Sequence, residues 1–223
     1  MKKLLLVAGM IGAVAVANAA TFERITSNAP EDIASQLQFS VAVNLVGERA
    51  CFRIANETEE TTGQISEIYF DDTSSALLVS IGDFDFGTGE NIVYFTDEHV
   101  TPENLPGGNT VGFEATLRAG AVNGNGGSNR IGPEEYLGIC VNLVAGKGLD
   151  DVLAALENGT LRIGLHVQSI GEDGEDGDDG LSDSFVSGPP PPEPPQVPDA
   201  SATAMLLGLA LLGLEGLRRR MVK

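Results

Sequence analysis

The densest concentration of potential ligand atoms in the chain is Glu172-Asp173-Gly174-Glu175-Asp176-Gly177-Asp178-Asp179, six carboxylates set between permissive glycines. Calcium takes roughly six to eight oxygens from flexible carboxylates. Asp173, Asp176, Asp178 and Asp179 are therefore the candidate calcium ligands, and Asp71-Asp72 is a second candidate pair. Asp176, Asp178 and Gly180 follow part of an EF-hand loop, but the glutamate that closes such a loop is absent. The run does not fit the glycine-rich nonapeptide calcium repeat either. Composition favours the other reading, a solvated acidic loop. Calcium apart, no cofactor is expected.

Other chemistry finds few residues to work with. The two histidines are His99, in a loop before Pro102, and His166, which alternates with Leu165 and Val167 and so belongs on a polar strand face. No Gly-x-Ser-x-Gly elbow accompanies them, so a nucleophile–base couple has no support. There is no His-Glu-x-x-His and no Cys-x-x-Cys, which argues against zinc. Asp83 and Asp85 could share one strand face, but paired acids are common in so acidic a chain, and a glycosidase couple is disfavoured. The expectation is a protein that is not an enzyme.

Cys51 and Cys140 are the two cysteines. Both fall off the apolar alternation of their segments (Phe52 and Ile54; Ile139, Val141 and Leu143), so they could meet on an outer sheet face. A 51–140 disulfide would close a loop of about 90 residues and contribute up to about 4.5 kcal/mol on the chain-entropy model. Two unpaired thiols are the alternative.

The elements that must position these groups are strands. Leu37, Phe39, Val41, Val43 and Leu45 alternate with smaller or polar residues. So do Val111, Phe113, Ala115 and Leu117, and again Leu161, Ile163, Leu165 and Val167. Shorter β-rich runs cover 51–55, 64–70, 76–81, 91–95 and 136–144, and Ser182–Val186 could add a last one. Gly- and Asn-rich turns separate them. The pattern predicts a mainly β fold, a single antiparallel β-sandwich spanning residues 20–187. One short helix is expected over 150–158, opened by Asp150-Asp151 and stopped by Gly159.

Both ends stand outside that domain. Lys2-Lys3, the apolar Leu4–Val16 and Ala17-Asn18-Ala19 have the three parts of a cleavable signal peptide at 1–19, read by the secretion translocon and signal peptidase. Downstream, the acidic loop at 171–180 leads to a proline-rich linker at 188–196, a semi-rigid spacer. Ala202–Leu217 then forms an apolar run with Glu215 inside it. Sixteen residues are slightly short of the roughly 20 that a membrane span needs. It is read as a C-terminal transmembrane helix whose Arg218-Arg219-Arg220 stays cytoplasmic, leaving the domain outside.

Charge narrows the partners. The chain carries 13 basic and 32 acidic residues. Setting aside the two ends leaves seven bases against 31 acids, a net charge of about −24 on the exported part. Such a surface repels nucleic acid and excludes it as a partner.

The tail carries a family resemblance. Val197-Pro198-Asp199-Ala200-Ser201-Ala202-Thr203, the apolar run and Arg218–Arg220 together resemble the C-terminal sorting signal of PEP-CTERM proteins, in its VPDSG-type variant. The resemblance implies recognition by an exosortase at 197–223, with processing near Val197–Asp199. It also implies a membrane-anchored intermediate and final placement at the cell surface or outside the cell, in bacteria that often make exopolysaccharide.

The domain is similar to a recurrent ectodomain of such proteins with no assigned activity. The likeness lies in Ile65–Asp72, Asn104–Asn109, Asp150–Asn158, Leu161–Gln168 and Ser182–Val186. Two functions follow as expectations. One is a non-enzymatic structural or adhesive surface protein associated with envelope or exopolysaccharide. The other is a carbohydrate-binding or carbohydrate-active module, possible with calcium. The scarcity of aromatics, with no tryptophan and three tyrosines (Tyr69, Tyr94, Tyr136), counts against the second because sugars stack on exposed rings.

Overall fold

The computed structural model describes residues 20–59, 61–85, 95–98, 103–122, 129–171 and 180–188. Within them the chain order is β1 (Phe22–Arg24), α1 (Glu31–Ala34), β2 (Phe39–Val46), β3 (Arg49–Asn56), β4 (Gln64–Asp71), β5 (Leu78–Asp85) and β6 (Phe95–Glu98). There follow β7 (Leu117–Ala121), β8 (Tyr136–Leu143), α2 (Leu149–Asn158), β9 (Arg162–Ile170) and β10 (Leu181–Ser187). The strands form two antiparallel sheets. One has six strands in the order β1-β10-β9-β4-β7-β6, and the other has four in the order β2-β3-β8-β5.

Period-two patterning decides which face each strand buries. Val41 and Val43 of β2, Phe52 and Ile54 of β3, and Leu137, Ile139 and Val141 of β8 turn inward from the four-stranded sheet. Ile65, Ile68 and Phe70 of β4 and Ile163, Leu165 and Val167 of β9 meet them from the six-stranded one. Phe52 and Phe70 touch edge-on, with centroids 5.1 Å apart. Along one side Phe39 contacts both Phe22 and Phe185 in the same manner. The β2–β3 hairpin turns at Gly47, whose φ of +65° is cheap for glycine.

The helix α2 follows its sequence signals. Asp151 Oδ2 accepts from the Gly148 backbone N–H at 3.0 Å and Gly159 ends the helix at φ 72°. Val152, Ala155 and Leu156 form its buried face. No helix among the described residues is long and apolar enough to cross a membrane. The expected signal peptide at 1–19, nearly all of the linker at 188–196 and the sorting signal at 197–223 with its apolar helix lie outside the described residues.

One strand expectation is corrected. Val111, Phe113, Ala115 and Leu117 do not alternate along a strand: Gly108–Val111 is a 3-10 turn, the chain is then irregular, and β7 starts at Leu117. The apolar residues are explained by a second, smaller core. Leu105 and Phe113 fold over the outer face of the six-stranded sheet and bury against Tyr69 and Val186. Gly164 on β9 makes room for them. A Cβ there would lie 2.8 Å from Leu105 Cδ2 and 3.0 Å from Phe113 Cζ, closer than side chains tolerate. Burial on the wrong side of a sheet has the same sequence signature as burial inside it.

Neither β1 nor α1 was expected from the sequence, although Pro30 followed by Glu31-Asp32 marks the start of α1. Asp183 of β10 holds this segment: its carboxylate accepts from Thr26 Oγ1, Asn28 N–H and Ala29 N–H at 2.8–3.1 Å and pairs with Arg24 at 2.6 Å.

Candidate functional site

Three polar clusters lie on the two outer sheet faces. The first is centred on Glu67. On β4 the register shifts between Ile65 and Glu67, and Glu67 comes directly opposite His166 of β9. Tyr69 lies two residues further along the same face, opposite Arg118 of β7. His166 Nδ1 is 2.9 Å and Tyr69 Oη 2.8 Å from Glu67 Oε2, and Arg118 Nη2 donates to Oε1. Arg118 also reaches Glu103 at 2.9 Å and sits over the Tyr69 ring.

The electrostatics follow from that geometry. Burial works to raise the Glu67 pKa, but the donors His166, Tyr69 and Arg118 outweigh it and lower the carboxyl to about 2. Burial, followed by the Glu67 charge and its hydrogen bond, pushes the Tyr69 hydroxyl upward. An ionised carboxylate only accepts, so Nδ1 of His166 carries the hydrogen. A carboxylate with both oxygens engaged is poorly suited to general acid–base work near neutrality. Ser66 Oγ donates to the His166 carbonyl, not to its ring, so it does not form a nucleophile–base couple with that ring.

The second cluster is Asp71-Asp72, proposed from sequence as a calcium pair. Its oxygens are occupied by donors. Asp71 Oδ1 accepts from Thr73 Oγ1 at 2.6 Å, while Oδ2 takes the Glu114 N–H and the Arg162 guanidinium. Arg162 in turn donates to the carbonyls of Val111 and Gly112 and sits 5.3 Å over the Phe113 ring. Asp72 Oδ2 accepts from the Leu77 and Leu78 N–H groups, each at 2.6 Å, as the chain turns into β5. A buried guanidinium on one carboxylate and backbone donors on the other leave no cation site here. The pair ties the overlying loop and the next turn to the sheet.

The third cluster lies outside the four-stranded sheet. Cys51 of β3 and Cys140 of β8 are direct cross-strand partners and form a disulfide. Their side chains face away from Phe52 and Ile139, which point into the core. Beside the disulfide is a depression of about 450 Å³, bordered by Ala42, Asn44, Val46, Arg53, Asp85 and Tyr136. The Arg53 guanidinium lies 3.9 Å from the Tyr136 ring centroid. Gly138 forms part of the floor, where a Cβ would meet Asp85 Cβ at 2.9 Å. Asp83 is engaged by Arg49, which argues against a free carboxylate couple with Asp85.

The candidate calcium ligands Asp173, Asp176, Asp178 and Asp179 lie outside the described residues, as do His99 and Tyr94. Among the described residues no group of three or more His, Cys, Asp or Glu side chains could hold a metal ion. Sequence reasoning missed the Glu67–His166 pairing, because a sequence separation of 99 hides a contact that strand register creates. The Arg53–Tyr136 stack was hidden for the same reason.

The comparisons with known proteins bear on the tail. Residues 196–221 match the VPDSG-CTERM motif. The VPDSG-CTERM match contains Val197, Pro198, Asp199 and Arg218–Arg220, and it supports a PEP-CTERM-like sorting signal. A chain bearing that signal is an exported one. No curated protein and no solved structure matches the chain.

Proposed function

We propose that this chain is a non-enzymatic structural or adhesive protein of the cell surface or extracellular matrix, delivered there by an exosortase that removes its tail. The match at 196–221 carries the reading. The order of motif, apolar run and arginines gives a processing enzyme in the membrane a segment to recognise, and the proline-rich linker at 188–196 separates the cut from the fold. The domain supports a structural role. Glu67, Asp71, Asp72 and Asp183 each satisfy donors of the fold itself, and the acidic surface suits a hydrated, polysaccharide-rich surrounding.

Mass spectrometry of the mature protein from its native host tests this. The expected mass ends near Val197–Asp199 and lacks Arg218–Arg220. A mature chain that keeps the arginines would overturn processing.

A carbohydrate-binding role is the second reading, favoured by the depression beside Tyr136, where Asn44, Arg53 and Asp85 offer donors and acceptors. Arg53 over the tyrosine ring occupies a face on which a sugar would stack. Glycan-array binding lost on Tyr136→Ala would favour this reading over the first.

A further inference from the structure

Asn-x-Ser/Thr, the acceptor sequence for transfer of a glycan to an asparagine amide, occurs twice in the chain, as Asn56-Glu57-Thr58 and Asn158-Gly159-Thr160. The fold treats the two differently. Asn56 and Thr58 are both fully buried. Asn56 Nδ2 donates to the carbonyls of Gly63 at 2.7 Å and Ile131 at 3.3 Å, and Thr58 Oγ1 accepts from the Gln38 N–H. No enzyme reaches that amide without opening the end of β3. Asn158, by contrast, is exposed at the last position of α2, where Gly159 reverses the chain at φ 72°. Its Oδ1 accepts from the Thr160 N–H at 2.9 Å and from the Thr160 hydroxyl at 2.6 Å. Those bonds fix the amide through its oxygen, and Nδ2 donates to no group among the described residues.

We propose that Asn158 is an N-glycosylation site, whose Nδ2 receives an oligosaccharide from a lipid-diphosphate-linked donor as the chain is exported. In the transfer Nδ2 attacks the anomeric carbon, and the bond from that carbon to the diphosphate oxygen breaks. The electron pair leaves with the lipid diphosphate, and one Nδ2 proton passes to a base of the transferase. Nothing is oxidised or reduced. Thr160 is the recognition residue, because its hydroxyl is the partner that sets the amide. Glycine between the two suits the reaction, since it tolerates the positive φ and brings no side chain to the approaching donor. The position also fits a transferase held in the membrane. A Cβ built on Gly188, where the linker leaves the domain, would lie 3.6 Å from Gly159 Cα. The acceptor therefore stands at the corner of the domain from which the tail departs. The inference rests on export and not on removal of the tail.

Peptide mass spectrometry of the exported chain from its native host tests it. Trypsin, cutting after Lys147 and Arg162, releases residues 148–162, which contain Asn158 and no second acceptor sequence. That peptide is expected to carry a glycan mass on Asn158, while Asn56 stays unmodified. Asn158→Gln and Thr160→Ala should each abolish the addition and Thr160→Ser should keep it, all at the parental strand content by circular dichroism. A peptide recovered only in unmodified form would overturn the proposal, whether or not the same sample has lost Arg218–Arg220. So would a glycan retained in Thr160→Ala, or one found on Asn56.

Discussion

Glu67 and His166 stand directly opposite each other on β4 and β9, with Nδ1 2.9 Å from Oε2, and the tyrosine and arginine beside them complete a carboxylate that donors hold ionised. Because the folded carboxyl sits near 2 against an ordinary 4.5, its contribution to stability is complete above about pH 4.5 and is lost as pH falls through about 2. Glu67→Gln should therefore unfold at lower urea than the parent at pH 7, and the gap should shrink steadily toward pH 2. A gap independent of pH would mean that the pairing is not linked to protonation.

Gly164 carries the loop that covers the six-stranded sheet. Gly164→Ala forces a methyl group into Leu105 and Phe113 and should cost about 1–3 kcal/mol, as overpacking does. The loss should be local. Limited proteolysis is expected to open residues 103–116 first, while cleavage within β3 and β8 stays slow.

Arg162 is the other fastening of that loop. Removing it strands the buried Asp71 carboxylate and frees two loop carbonyls, so Arg162→Ala should cost about 3–5 kcal/mol. Replacing Asp71 and Arg162 together should cost less than the sum of the single changes. Chemical denaturation of the four-variant cycle measures the coupling, and additive losses would deny the pair its role.

The disulfide joins neighbouring strands of one sheet and closes a long loop, with a sequence separation of 89. Reduction, or Cys51→Ser with Cys140→Ser, should lower stability by about 2–4 kcal/mol and leave the strand content by circular dichroism unchanged. Melting in the presence and absence of reductant checks this.

The strands β2, β3, β4, β8 and β9 were legible in the sequence because alternation is a local property that survives any arrangement of its neighbours. The same holds for α2, whose acidic opening and terminal glycine lie within one helix length. The stretch from Val111 to Leu117 was misread because periodicity reports that apolar groups are buried, not which surface buries them. Only the packing of the loop over Gly164, Tyr69 and Val186 decides that. β1 is three residues long, too short to show a period, and the contacts that hold its segment come from Asp183, more than 150 residues away.

The tail and the domain divide along the same line. Sorting signals are read as extended or simple helical segments by other proteins, so residue order alone determines them, and Val197-Pro198-Asp199, the apolar run and the three arginines could be recognised without a fold. The acids of the domain could not be assigned that way. Asp71 and Asp72 have the composition of a cation site, and the register of β4 against β9 and the course of the loop over them turn both into acceptors for the fold's own donors. Sequence determined that this chain is addressed outward and built of strands. Tertiary structure decided which carboxylates are already spent on the fold, because hydrogen bonds and burial depend on neighbours that are distant in the chain.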